Sequence, residues 1–185
     1  MSLGMVILGR QGSGKGTQAV RIAERFGVIH ISTGDMLRTA VKEGTELGLK
    51  AKNIMDAGDL VPDTVINGIV QERLTKGDVA QSGFLLDGYP RTVGQTNELR
   101  SLAKGNLKLA INLEVSIEEV TKRMISRGRE DDTEEAIARR LELYEAETAP
   151  LLEWFSKEGI LSVIDGSGTE IEVYGRIVST IEAKI

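Results

Sequence analysis

The chain of 185 residues has no cysteine, which excludes disulfides and thiolate metal sites and gives no sign of a stapled secreted domain. It has a single histidine, His30, which argues against a histidine-based metal centre. Positive charge is in the minority. The 23 Lys and Arg against 28 Asp and Glu leave a net charge of −5, so nucleic acid would not be held by the overall field. Any anion must be recognised by local clustering of positive charge. No apolar run approaches the ~20 residues of a membrane helix. A basic region followed by a long apolar one is also missing from the N-terminus. A cytoplasmic location is expected. Met1-Ser2-Leu3 is given no weight, with the native start read at or near Met5. The 41% hydrophobic and 28% charged residues are ordinary for one globular domain with a real core.

The stretch that organises the chain is Gly9-Arg10-Gln11-Gly12-Ser13-Gly14-Lys15-Gly16-Thr17. The apolar run Met5–Leu8 precedes it and an amphipathic stretch from Gln18 to Phe26 follows, so the order is strand, glycine loop, helix. A phosphate chain needs many N–H donors at close range, and glycines remove the Cβ atoms that would block them. The helix start adds unpaired N–H groups and partial positive charge. Gly12, Ser13, Gly14, Lys15, Gly16 and Thr17 are therefore expected to bind phosphate, with Lys15 bridging the outer oxygens. Gly16 stands where a Ser or Thr usually ligates magnesium, and Thr17 comes one residue later. Magnesium is then expected to be held through phosphate oxygens and water.

Along the chain, Val28–Ile31 reads as the second strand, with His30 inside it as a packed residue without chemistry. Three helices follow with no strand between them, opening at Ser32, Glu46 and Asp63, which suggests a helical insert over 32–77. Gly83–Asp87 is a buried strand ending in a carboxylate, where ligands bind in open parallel sheets. Helix Thr92–Ala103, strand Leu107–Leu113 and a helix from Ser116 to Arg127 come next. A short turn leads to the longest helix, capped by Thr133 and carrying Leu151, Leu152, Trp154 and Phe155 on its tail. Strand Ile160–Ile164, a loop at Asp165–Gly168 and a helix from Glu170 follow. The expected fold is a three-layer α/β/α P-loop domain with a five-stranded parallel sheet and the loop-bearing strand near its middle.

More positive charge sits at the expected ligand-facing ends than one nucleotide requires. Arg38 opens the insert, Arg91 follows the Asp87 strand, and Arg123, Arg127 and Arg129 surround the Gly128 turn. Arg140 returns to the same region if the intervening loop is short. Arginine suits this role because its planar fork grips phosphate with two bonds and stays charged.

Together, Gly9–Gln18, Ile31–Arg38 and Phe84–Thr92 with Gln95 resemble the adenylate kinase family, from the first strand to the last helix. The resemblance implies a single kinase domain over 1–185, an AMP-binding insert at 32–77 and a short lid at 127–133. It implies ATP phosphates on Lys15 and the loop amides. AMP would lie between Thr33, Arg38, Leu60, Val61, Gly88, Arg91 and Gln95. Arg123 and Arg129, with Arg127 and Arg140, would clamp the phosphates during transfer, Arg123 also lying along the ATP adenine and Arg129 and Arg140 reaching AMP. Asp87, and more weakly Asp35, would hold the water shell of magnesium, with no direct protein ligand. Two features depart from the family. Arg10-Gln11 replaces a proline-containing pair, and Tyr89 replaces a frequent Phe. The lid has no room for a zinc-binding hairpin, so no zinc is expected.

The activity implied is reversible transfer of the ATP γ-phosphoryl group to AMP, giving two ADP and serving nucleotide homeostasis. The rival within the class is a UMP or CMP kinase, against which Thr33 and Gln95 speak. The rival outside it is a non-catalytic P-loop binding protein, which would leave the acceptor-site residues without purpose. ATP, AMP and ADP are the expected partners, without nucleic acid or membrane. A monomer is expected, since no apolar stripe is left over.

Overall fold

The computed structural model describes residues 3–103 and 105–185. Met1 and Ser2 of the discounted N-terminal triplet lie outside them. Leu3 already belongs to the first strand, β1 (Leu3–Leu8). The other strands are β2 (Ile29–Ser32), β3 (Gly83–Asp87), β4 (Leu107–Glu114) and β5 (Leu161–Asp165). They form one parallel sheet in the order β2-β3-β1-β4-β5, with the loop-bearing strand in the centre as expected. Met5 pairs with Leu85 on one side and Leu109 on the other, so the middle of the sheet is apolar on three adjacent strands.

Successive side chains of a strand point to opposite faces, and β1 shows the consequence. Met5 and Ile7 join the core under α1 (Lys15–Phe26) and α10 (Glu170–Glu182), through Ala19, Ile22, Val173 and Ile177. Val6 and Leu8 join the core on the other face. There they meet α2 (Thr33–Glu43), α3 (Glu46–Asp56), α4 (Asp63–Leu74), α6 (Val93–Leu102) and α9 (Pro150–Lys157). A third cluster, Val120, Met124 and Ile137, joins α7 (Ile117–Arg127) to α8 (Glu134–Leu143). The neighbours β1 and β3 thus lead into helices on opposite faces. A crevice opens between their carboxyl ends.

Two helical expectations need correction. A fourth helix, α5 (Gly77–Ser82), precedes β3. With Val79 as its one buried side chain it carries no readable periodicity, and it is held instead by Asp78, which accepts both the Val79 N–H and Arg73. The long helix expected from Thr133 through Phe155 is also not continuous. Between α8 and α9 lies a π-helical turn, Tyr144–Thr148, in which the Ala149 N–H reaches back five residues to the Tyr144 carbonyl at 2.7 Å. Pro150 has no N–H for a continuing ladder and opens α9 instead.

Candidate functional site

The carboxyl ends of β1, β2 and β3 open into a cleft of about 790 Å³. The glycine loop forms its floor. Gly12 and Gly14 take left-handed φ values of 85° and 93°, which an L side chain rarely adopts. A Cβ on Gly12 would also stand 2.7 Å from the Val120 carbonyl. Among the described residues, six helices carry Ser or Thr side-chain caps, at Ser32, Thr45, Thr92, Ser116, Thr133 and Thr169. By contrast α1 begins at Gly14 with no side-chain cap, which leaves its first N–H groups for a ligand.

Lys15 is folded back over the loop. Its Nζ donates to the carbonyls of Gly9 at 2.6 Å and Arg10 at 2.8 Å. Burial pulls its pKa down from 10.5 to about 8; Asp87 opposes this, and Arg91 and Arg127 reinforce it. The ammonium gains most by meeting an anion. Arg91, which lines the same cleft, is in the same situation. Its Nε donates to the Gly88 carbonyl at 2.9 Å, and burial, opposed by Asp87 and assisted by Arg140 and Arg38, holds it below the usual guanidinium value.

A small network locks Arg91, Thr92 and Gln95 to Asp63. The Gln95 side chain accepts the Arg91 N–H at 2.7 Å and donates to Asp63 Oδ1 at 2.7 Å. Thr92 Oγ1 donates to Asp63 Oδ2 at 2.8 Å and caps α6 by accepting the Gln95 N–H at 3.2 Å. Thr33 Oγ1 donates to the Gly88 carbonyl at 2.9 Å. Arg38 pairs with Asp35. Asp35 is thereby committed, which leaves Asp87 as the carboxylate facing Lys15. The His30 Nε2 atom lies 3.5 Å from Asp87 Oδ2, so the histidine read as inert packing stands beside this carboxylate.

Three of the remaining arginines are held by acids. Arg127 grips Asp132 with two bonds, at 2.6 and 2.9 Å. Arg140 meets Asp131, meets Asp132 at 2.9 Å and donates to the Met55 carbonyl at 3.0 Å. Arg123 pairs with Glu119 at 2.8 Å and reaches the Ser13 carbonyl at 3.5 Å. Arg129 has no ion pair among the described residues. Burial lowers its pKa, as do Arg38 and Arg127, against Asp35 and Asp131.

Every residue singled out in the sequence for ATP, AMP or magnesium borders this one cleft, including Leu60 and Val61. Sequence reasoning missed Asp63, which left no signal beyond a first-turn acid, and Thr148, whose Oγ1 donates to the Arg91 carbonyl at 2.9 Å. It also missed Gly168 to Glu170 and Val173, which line the cleft, and the partnering of Asp131 and Asp132 with the arginines. That last pair was legible as two acids beside a run of arginines.

Comparison with known proteins agrees with this geometry. The family model described as Adenylate kinase matches residues 7–160. An adenylate kinase of Mycobacteroides abscessus is 49% identical over 175 residues, covering 93% of this chain and 95% of its own. One from Stenotrophomonas maltophilia is 45% identical, covering 97% and 99%. One from Oenococcus oeni is 48% identical, covering 96% of each. A cleft that gathers half-buried cations, depressed in pKa by desolvation, beside a glycine loop with uncapped helix-start amides thus sits in a chain that belongs to the adenylate kinase family.

Proposed function

We infer that this cleft carries out the family's reaction, reversible transfer of the γ-phosphoryl group of ATP to AMP giving two ADP. The observation that carries the assignment is the pair Lys15 and Arg91, which line one cleft. Both are half-buried, and desolvation depresses the pKa of each against the opposing charge of Asp87.

The donor phosphates lie on the amides of Gly12 to Thr17, with Lys15 leaving its carbonyls to meet them. AMP lies between Thr33, Arg38, Leu60, Val61, Gly88, Arg91 and Gln95. The acceptor atom is already a phosphate oxygen, so no general base is needed. The work of the protein is alignment and charge stabilisation. Arg123, Arg127, Arg129 and Arg140 close on the transferring group. For Arg127 and Arg140, this means exchanging Asp131 and Asp132 for phosphate. The segments proposed to move are the AMP-binding insert, 32–77, and the short lid, 127–133. Their closure excludes water, which would otherwise accept the phosphoryl group.

The donor set suits magnesium. Asp87 and Thr17 offer hard oxygens, and no group of three or more His, Cys, Asp or Glu gathers into a cage among the described residues. Asp87 would hold the ion through its water shell. When bound, magnesium neutralises phosphate charge.

The chain is proposed to be a cytoplasmic monomer. Among the described residues no helix is long and apolar enough to cross a membrane. The large exposed hydrophobics are spread over separate elements, such as Leu49 on α3, Val163 on β5 and Ile171 on α10. Incubation with magnesium and ADP alone tests the activity. Equal ATP and AMP are expected. Binding of ADP without disproportionation would move the acceptor to another monophosphate, and absence of ADP binding would overturn the donor site.

A further inference from the structure

We propose that Arg10 and the π-helical turn Tyr144–Thr148 form a positioning strut, which fixes the phosphate loop relative to the acceptor-side arginine, Arg91. The proposal rests on the donor-loop assignment above.

Arg10 is divided between two environments. Its backbone belongs to the loop, where the carbonyl accepts Lys15 Nζ at 2.8 Å and the Ser13 N–H at 3.1 Å. Its side chain leaves in another direction and does not border the cleft. Nε donates to Glu145 Oε1 at 2.8 Å, and Nη1 donates to the Val115 carbonyl at 3.1 Å. The guanidinium carbon stands 5.4 Å from the centre of the Tyr144 ring. An ordinary surface ion pair contributes little. Here one planar group engages a carboxylate, a carbonyl and an aromatic face, and its side chain is only 23% exposed.

Two partners of Arg10, Tyr144 and Glu145, lie at the start of the π-helical turn. At its end, Thr148 is buried and donates to the Arg91 carbonyl at 2.9 Å. Between them the wide turn is closed by the bond from the Ala149 N–H to the Tyr144 carbonyl. The Tyr144 hydroxyl adds a bond to Asn112 Oδ1 at 3.3 Å, which ties the turn to β4. Five residues therefore grip the donor loop at one end and the acceptor-side backbone at the other. Helix α8, carrying Arg140, runs directly into them. Such a turn interrupts the regular ladder, and interruptions of this kind are frequent at functional sites. Transfer between two bound phosphates depends on alignment to a fraction of an ångström, and a 1 Å misplacement costs on the order of 10²-fold.

The test is steady-state kinetics with melting curves on Arg10→Ala, Glu145→Ala, the double variant, Arg10→Lys and Thr148→Val, with Lys15→Ala beside them. Arg10→Ala is expected to lower kcat roughly 10-fold at temperatures far below its melting point, while KM for AMP stays within about twofold. Glu145→Ala, whose side chain is half-exposed, and Thr148→Val should lower kcat in the same pattern. The double variant should be no worse than Arg10→Ala, because one interaction is removed twice. Arg10→Lys should regain only part of the loss, because an ammonium can keep Glu145 but not the Val115 carbonyl and the Tyr144 ring as well. A purely structural role would instead lower the melting temperature and leave the kcat of folded protein unchanged; that result overturns the strut. Additive losses from Arg10→Ala and Glu145→Ala overturn it too. Normal Arg10→Ala kinetics with an inactive Lys15→Ala defeat the strut alone. A fully active Lys15→Ala defeats the donor-loop reading beneath it.

Discussion

Arg140 Nη1 lies 2.9 Å from Asp132 Oδ1, and the Asp132 side chain is only 1% exposed. The other oxygen of the same carboxylate takes Arg127 Nε at 2.6 Å. One acid therefore holds two cations proposed for the transferring phosphate. Like charges this close repel unless an anion stands between them. Asp132 fills that role without substrate.

Asp132→Ala should destabilise the fold by about 2 kcal/mol, less than the ~3–5 kcal/mol of a fully buried pair. The discount reflects Arg127, which is 27% exposed and can rehydrate. Chemical denaturation measures it. Acid sensitivity supplies a second readout. Burial alone would raise the Asp132 carboxyl, but Arg127 and Arg140 outweigh it and hold it below the usual carboxylate value. Its contribution is complete above the unfolded carboxyl value and is lost as pH falls through the lower folded value. The stability of Asp132→Asn should therefore fall less steeply than the parent's below about pH 4.

Asp63 never touches the proposed AMP position, yet it orients two groups beside it. Its oxygens take the Gln95 amide and the Thr92 hydroxyl. Removing it frees the Gln95 side chain to rotate and loosens its hold on the Arg91 N–H. Asp63→Ala should raise KM for AMP roughly 10-fold, the scale of one hydrogen bond to a charged group. KM for ATP should change little, since Asp63 lies on α4, outside the donor loop. Separate titration of each nucleotide against the other at saturation checks this.

How far the sequence could be read depended on whether the determinants were local. The strand, glycine loop and helix around Lys15 are contiguous, and the loop's need for small residues is written in Gly9, Gly12, Gly14 and Gly16. The sheet was legible because each strand is a short apolar run flanked by a turn. The break in the long helix was not. The apolar positions of α8 and α9 continue one stripe, and the extra residue of the π-helical turn alters phase without altering composition. Pro150 was the available signal. Helix α5 has too few apolar residues to show a period. The supporting shell, Asp63, Thr148 and the side chain of Arg10, was invisible for another reason. Its partners lie 29 to 135 residues away in the chain.

If Lys15 meets the donor phosphates as proposed, it makes donor binding pH-dependent in a definite direction. Without ligand its pKa is about 8, against 10.5 unburied. Between those values the unfolded chain carries more protons at this position than the fold does, so this residue's contribution makes stability rise with pH there. Donor binding has the opposite sign. Phosphate oxygens favour the ammonium, so ATP binding above about pH 8 must take up a proton and weaken as pH rises further. Calorimetry of ATP binding at pH 8.5 in buffers of different ionisation enthalpy should show net uptake. Lys15→Arg, charged throughout, should show none from this site.

Gly12 separates the conformational from the chemical demands of the loop. Its φ of 85° is one an alanine adopts only under strain, and an added Cβ would meet the Val120 carbonyl at 2.7 Å. That carbonyl belongs to α7 and cannot turn aside without moving the helix that carries Arg123 and Arg127. Gly12→Ala must then either distort the loop or push α7 outward. A cost of roughly 1–3 kcal/mol in stability is expected for the strained residue. Either response misaligns donor amides or clamp arginines, so turnover should drop at least 10-fold. Gly14→Ala provides the contrast. It has the same unfavourable sign of φ, at 93°, but no atom within 4 Å of the added Cβ. It should carry the strain without the collision and leave α7 in place, and so lose less stability than Gly12→Ala. Equal stability losses in the two variants would make backbone strain, rather than displacement of α7, the sole cause of the destabilisation.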